Sequence, residues 1–189
     1  GAGYALENRL IVSRVFPELY RDLRVEHLAA FFATLRDALA HYAPRDDGPV
    51  RTVLLTPGPY NETYFEHAML ARYLGFPLVE GGDLTVRDGR VWLKTLDGLQ
   101  RVHAILRRLD DGYCDPLELR PDSALGVPGL TDCMRTGSVL IASALGPYLP
   151  NALSDLDVPV AWHTVLGSAW LLPRTIAFFV LMKWHGWHG

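Results

Sequence analysis

Val25, Leu28, Phe32, Leu35, Leu39 and Tyr42 are apolar and recur every three or four residues, the spacing of one face of an α-helix. They predict an amphipathic helix that stops before Pro44, because proline cannot continue the hydrogen-bond ladder. Ahead of it, residues 1–24 read as a lead-in with one short helical turn at Pro17-Glu18-Leu19-Tyr20, where proline suits the first helical position. After the polar loop 45–49 the pattern changes. Val50 to Thr56 is a β-branched and leucine-rich run closed by Pro57-Gly58-Pro59, as expected of a strand buried on both faces. Asn61 is placed to cap a helix that carries Phe65, Met69 and Tyr73 on one face and ends at Gly75. Pro77 to Glu80 is a second, short strand, which completes a βαβ unit.

Leu84-Thr85-Val86-Arg87 and Arg90-Val91-Trp92-Leu93 flank Asp88-Gly89, the sequence signal of a tight hairpin. Val102 to Leu106 reads as another strand, Leu130 to Arg135 as a short helix and Ser138 to Ala144 as a last strand. The expected fold class is α/β: a small Rossmann-like parallel or mixed sheet flanked by helices, with an inserted β-hairpin. Three regions are expected. Residues 1–49 form the lead-in and amphipathic helix, residues 50–146 the Rossmann-like α/β subdomain, and residues 147–189 an apolar tail punctuated by Pro147, Pro150, Pro159 and Pro173.

Composition narrows the function classes. With 49% hydrophobic and 21% charged residues the chain has the make-up of a globular protein, and a net charge of −3 argues against a nucleic-acid surface. Of its 18 basic residues only Lys94 and Lys183 are lysines, so a phosphate-clamping ammonium has two candidates. Cys114 and Cys133 form no C-x-x-C, and GAGYALENR is not a leader, so a cytoplasmic chain with reduced thiols is expected. Thr175 to Met182 (TIAFFVLM) and Val165 to Leu172 are separated by Pro173-Arg174, leaving neither long enough for a membrane span. Ala177 to Met182 is expected instead to drive self-association. Phe31, Phe32, Tyr64, Phe65 and Trp92 are expected in the core, and Asp111 and Asp115 beside Cys114 should raise its thiol pKa.

Two groups of residues carry candidate chemistry. Arg107, Arg108, Asp110, Asp111 and Asp115 follow a strand, where open α/β sheets place ligands. The arginines could hold a phosphate or carboxylate and the acids a metal or amine, or the set could be surface ion pairs that fix a loop. Asn61, Glu62, Glu66 and His67 surround a helix start, a natural anion site, or else act as a cap and solvated helix charges. Gly1-Ala2-Gly3 ahead of Glu7-Asn8-Arg9 could bring backbone amides to a phosphate.

Several stretches in fixed order carry a family resemblance: GYALENR (Gly3 to Arg9), TPGPYNETYFEH (Thr56 to His67), Leu70 to Thr95 and Ile105 to Leu130. Together they resemble the circularly permuted ATP-grasp proteins, relatives of glutathionylspermidine synthetase. The resemblance implies an ATP-dependent carboxylate–amine ligase that uses ATP and Mg²⁺ on a small-molecule carboxylate and amine. Joined to the strand-end and helix-start positions, the resemblance makes Arg107, Arg108 and Asp110 the candidate catalytic residues, Asn61, Glu62 and His67 the candidate substrate contacts and Asp111 and Asp115 the candidate metal ligands, and it alone implies nucleotide contacts for Glu7, Asn8 and Arg9. In such proteins an acidic metal-binding segment lies upstream of the GYALENR-like stretch, and a lysine-bearing clamp lies beyond the matching part. The chain is therefore expected to be a central fragment that binds nucleotide weakly and does not ligate alone. Where relatives continue with a Gly-Ser-Gly-Val-like turn, this chain reads Pro147-Tyr148-Leu149-Pro150, so its tail is either divergent or a shifted reading frame. The alternative reading is a non-catalytic α/β binding or partner-docking module.

Overall fold

The computed structural model describes residues 2–46 and 48–143. Its centre is a parallel sheet of β1 (Thr52–Leu55), β2 (Leu78–Val79), β6 (Ala104–Arg107) and β7 (Leu140–Ser143), in the order β2-β1-β6-β7. All four residues of β1 are buried, which explains why the run has no polar alternation: both of its faces are covered. Successive side chains point to opposite faces. Val53, Leu55 and Ile105 therefore join Val91, Val127 and Leu130 in one core, while Leu54 and Leu106 join Leu6, Phe32, Leu70 and Leu74 in the other. Each such side chain contributes roughly 1.5–3 kcal/mol by leaving water.

The second core is roofed by three helices, α1 (Ala2–Val15), α3 (Ala29–Tyr42) and α4 (Tyr64–Leu74), with the short α2 (Pro17–Asp22) following α1. The first core is closed by α5 (Leu130–Arg135) and an antiparallel sheet of β3 (Leu84–Arg87), β4 (Arg90–Thr95) and β5 (Gly98–Arg101). The α/β class and the inserted hairpin hold as expected. Asp88 and Gly89 both have positive φ, 52° and 66°, the backbone of a tight hairpin turn with the right twist. Gly75 ends α4 in the left-handed conformation, φ 73°.

Four local expectations are corrected. Residues 2–15 form a 14-residue helix rather than a lead-in. The helix expected from Val25 begins at Ala29, because Arg24 takes φ 48° and Val25 N–H donates back to Tyr20 O. A second hairpin adds β5, so the strand expected from Val102 begins at Ala104. The face of α4 turned to the sheet is Glu66, His67, Leu70, Ala71 and Leu74, not the stripe of Phe65, Met69 and Tyr73, and Phe65 is 61% exposed. Tyr73 lies at the edge of that stripe, against the Phe32 ring at 5.2 Å. Among the described residues no helix is long and apolar enough to cross a membrane. The tail and its Ala177 to Met182 segment lie outside the described residues.

Candidate functional site at the β1–β6 switch point

The chain leaves β1, passes through α4 and adds β2 on one side, then returns to add β6 on the other. Strand addition therefore reverses between β1 and β6. Parallel sheets open a ligand crevice outside the carboxyl ends of the strands at such a point. Two loops meet there: Thr56 to Thr63 after β1, and Arg108 to Tyr113 after β6.

The first loop is rigid for local reasons. Thr56 N–H donates to Val79 O at 2.9 Å, and Asn61 N–H to Gly58 O at 3.1 Å. Gly58 takes φ 102°, and a Cβ there would sit 3.2 Å from the Glu80 carboxylate, so glycine meets both constraints. Asn61 does not cap α4 directly. Its Oδ1 accepts from the N–H of Thr63, at 2.9 Å, and from the Thr63 hydroxyl, which makes an Asx turn two residues before the helix. That contact fixes the directions of a longer chain. The Thr63 hydroxyl gives its proton to Asn61 and so accepts from His67 Nε2–H at 3.0 Å. His67 Nδ1 then accepts from the Thr56 hydroxyl at 2.9 Å, and Gly58 N–H donates to Thr56 Oγ1 at 3.3 Å. Burial pushes the His67 pKa down and the Arg108 charge adds to this, against the opposing Glu66 charge. The imidazole is neutral and holds both of its threonines. It staples α4 to β1 and is no free base.

Glu66 precedes it on the helix and is 1% exposed. Arg108 Nη2 donates to both carboxylate oxygens, and Gly3 N–H donates to Oε1 at 2.8 Å. Burial pushes the Glu66 carboxyl up, but the Arg108 hydrogen bond, the Gly3 amide and the Arg108 charge outweigh it, leaving its pKa below the ordinary value. The arginine side chain is 10% exposed, so this is a buried ion pair. Arg108 Nε is buried with no hydrogen-bond partner. Gly3 is required by the contact, since a Cβ there would lie 2.5 Å from Glu66 Cγ.

The other expected residues separate into those the crevice brings together and those it does not. Asn61 is linked to His67 through Thr63, and Arg108 is held by Glu66, the residue before His67. Glu62 and Asp110 are exposed on the two loops, and Asp110 Oδ1 also accepts Asp111 N–H at 3.1 Å, capping the short 3-10 turn Asp111–Tyr113. Arg107 turns inward to Leu109 O and Cys114 Sγ and pairs with Asp111. It anchors the loop. Asp115, fully buried, accepts N–H groups of Leu117, Gly129 and Thr131 at 2.9–3.1 Å. Burial opposes this charge, but the three amides hold its pKa down.

The expected pair of metal ligands, Asp111 and Asp115, does not fit a metal: one is taken by Arg107 and the other by backbone amides. Among the described residues no three His, Cys, Asp or Glu side chains lie together in a metal-binding group. Burial, rather than its acidic neighbours, is the main reason the Cys114 thiol is pushed up, and Arg107 opposes it. Cys133, likewise buried and free, is pushed up by burial too.

The glycine-led phosphate approach at the start of the chain is a helix, and its Gly3 amide is occupied by Glu66. Arg9 donates to Glu26 O, Glu7 is half-buried and Asn8 exposed. Lys94 donates to Gly82 O at 2.8 Å on the hairpin sheet, away from the crevice loops. Thr56 and Thr63 carry no sequence signal of their part in this chain of hydrogen bonds, and Gly3 gives its amide to Glu66 rather than to a phosphate. The spacing of residues 66, 67, 70, 71 and 74 is the one signal that could have placed Glu66 and His67 inside.

An uncharacterized protein of Mycobacterium tuberculosis is 44% identical over 146 residues, which are 77% of this chain and 26% of the relative. A second from the same organism is 46% identical over 146 residues, 16% of its length. One from Synechocystis is 43% identical over 146 residues, 30% of its length. The chain thus spans less than a third of these relatives. Residues 1–158 match the family described as circularly permuted ATP-grasp type 2. The chain belongs to that circularly permuted ATP-grasp family.

Proposed function

We propose that this chain is the substrate-side α/β shoulder of an ATP-dependent carboxylate–amine ligase. In the complete protein, a carboxylate is phosphorylated to an acyl phosphate and an amine attacks it with loss of phosphate. The family generally uses ATP and Mg²⁺, which in this reading are held by parts of the protein outside this stretch. A relationship to glutathionylspermidine synthetase is part of the same proposal.

The observation that carries the reading is the reversal of strand order between β1 and β6, where parallel sheets place ligands, with the buried guanidinium of Arg108 next after β6. Arg108 offers a buried Nε–H with no partner, and Asn61 keeps its amide NH₂ because Oδ1 alone is used by Thr63. The Asn61 amide is a donor that suits a carboxylate oxygen. Asp110 and Glu62, exposed on the two loops, suit an amine. In this reading Arg107, Asp115 and His67 hold the loops in place and touch no substrate.

The test uses the full-length Mycobacterium tuberculosis relative with ATP, Mg²⁺ and panels of carboxylates and amines. The expected outcome is ADP release that requires both an acid and an amine. Replacing the residue aligned with Asn61 by aspartate, which keeps the Oδ1 acceptor of the Asx turn and removes the NH₂ donor, raises the KM for the acid with little change in Tm. ADP release that ignores the acid, or a KM that does not move, contradicts the proposal. A second reading, a non-catalytic binding module, is favoured by how completely Arg107 and Asp115 are used internally. A full-length protein that binds acid or amine without turnover would support it.

A further inference from the structure

Amphipathic helices of globular proteins turn one apolar stripe inward and a polar face outward. The first two helices do not obey this. On α1, Leu6 is 2% exposed and meets the core, yet Ile11, Val12 and Val15 are 49%, 44% and 59% exposed. The stripe continues without a break through Phe16 at 56% into α2, where Leu19 is 53% and Leu23 67% exposed. Six large apolar side chains within thirteen residues of chain thus stand in water. Arg14, Glu18 and Asp22 are exposed among them, as at the polar rim of an interface. Single exposed leucines need no explanation, but a contiguous patch of this kind marks a contact surface. A helix apolar on two sides belongs inside a larger assembly.

The relatives supply the occupant. The matched 146 residues make up 26% of one mycobacterial relative and 16% of another, so most of each full-length chain lies outside the matched stretch. That remainder is the one covalently attached partner at hand to cover such a face. The family match includes residues 11–23, so the face belongs to the shared part of these proteins and not to the tail.

We propose that the Ile11 to Leu23 face of α1 and α2 is the seam on which the rest of the full-length ATP-grasp chain docks, through a complementary apolar surface. The seam lies on helices flanking the sheet and involves none of the crevice side chains except through Gly3, at the other end of α1. A protein that fails the ligase test can therefore still pass this one.

The experiment is hydroxyl-radical footprinting of the isolated 189-residue chain and of the full-length mycobacterial relative, read at Ile11 to Leu23 and at the aligned stretch. The expected result is labelling of this stretch in the isolated chain at the rate of exposed apolar side chains, with at least tenfold protection in the full-length protein. That protection is expected to be independent of protein concentration. Equal labelling in both overturns the proposal. So does protection that appears only as the full-length protein dimerises, because the occupant is then a second copy. A Val15→Glu, Leu19→Glu variant provides the independent readout. In the isolated chain it leaves the Tm unchanged, and at the aligned positions of the full-length relative it lowers the Tm. Loss of Tm in the isolated chain, or none in the full-length relative, counts against the seam.

Discussion

The two edges of the parallel sheet each carry a histidine, a carboxylate and an arginine, yet they are built differently. At the carboxyl edge Glu66, His67 and Arg108 have side chains 1%, 3% and 10% exposed. At the amino edge His103 is 3% and Arg101 12% exposed, but their carboxylate partner Asp46 is 38% exposed. His103 Nδ1 accepts Arg51 N–H at 3.0 Å, so its Nε2–H donates to Asp46 Oδ1 at 2.9 Å. The lesson is that a polar cluster at a strand end is not by itself a binding site. The amino-edge set joins the loop before β1 to the start of β6 and keeps its charge in water. The carboxyl-edge set withdraws both of its charges from water, and the unmet arginine Nε–H does not tell the edges apart, since Arg101 and Arg108 each have one. Desolvated charge costs free energy unless paired, so it is kept where the fold or a ligand gains from it.

That contrast can be broken by removing charge at each edge. The largest effect is expected from Arg108→Ala, which takes away one side of a buried pair and should cost about 3–5 kcal/mol in urea unfolding. Removing both sides with Glu66→Leu, Arg108→Met should recover most of it. A loss below about 1 kcal/mol, typical of exposed pairs, would show that the carboxyl edge is as wet as the amino edge. Next comes Gly3→Ala, whose methyl must displace Glu66. It should cost roughly 1–3 kcal/mol and fall sharply in a Glu66→Leu background.

The pH dependence sharpens the comparison further. The folded pKa of His67 lies below its ordinary value, so the unfolded chain takes up more protons. Its contribution is complete above the unfolded pKa of about 6.5 and is lost as pH falls toward the folded value, with a slope of at most about 1.4 kcal/mol per pH unit. His67→Gln should flatten the urea-midpoint curve between about pH 7 and 5. Glu66, also depressed, adds a second loss below the ordinary carboxylate range. An unchanged slope in His67→Gln would show that the histidine is not held neutral. The smallest effect belongs to Asp46→Asn. It should shift the midpoint less than any change at the other edge, and added salt should erase the difference, because the carboxylate is open to solvent.

Much of the fold was legible because local chemistry and global position agree. Val50 to Thr56 reads as a doubly covered strand, Asp88-Gly89 as a tight turn and Gly75 as a helix stop, and each is so. The missed elements are those whose local signal conflicts with their setting. Helix α1 has apolar side chains on two sides, one for its own core and one facing out, so no single stripe marks it. Gly3 suggested a loop because the reason for it, the approach of Glu66 from 63 residues away, is tertiary. Phe65, Met69 and Tyr73 form a true helical stripe, but the neighbouring stripe, with a charge and an imidazole in it, is the one the sheet covers. The site was legible as a cluster after β6 and a loop after β1. That Arg108 rather than Arg107 reaches Glu66 on α4 depends on strand register, which pairs Leu55 with Arg107 and lets the next residue cross over β1.

The central claim is that this shoulder holds its charges for its own architecture and takes its nucleotide chemistry from the rest of the protein. Isothermal titration of ATP·Mg²⁺ into the 189-residue chain tests it most directly, beside Arg107→Ala and Asp110→Ala variants. The expected result is no saturable heat at micromolar concentrations in any of the three. Micromolar binding by the unaltered chain that either substitution abolishes would contradict the account, because a working nucleotide site would then lie within these residues.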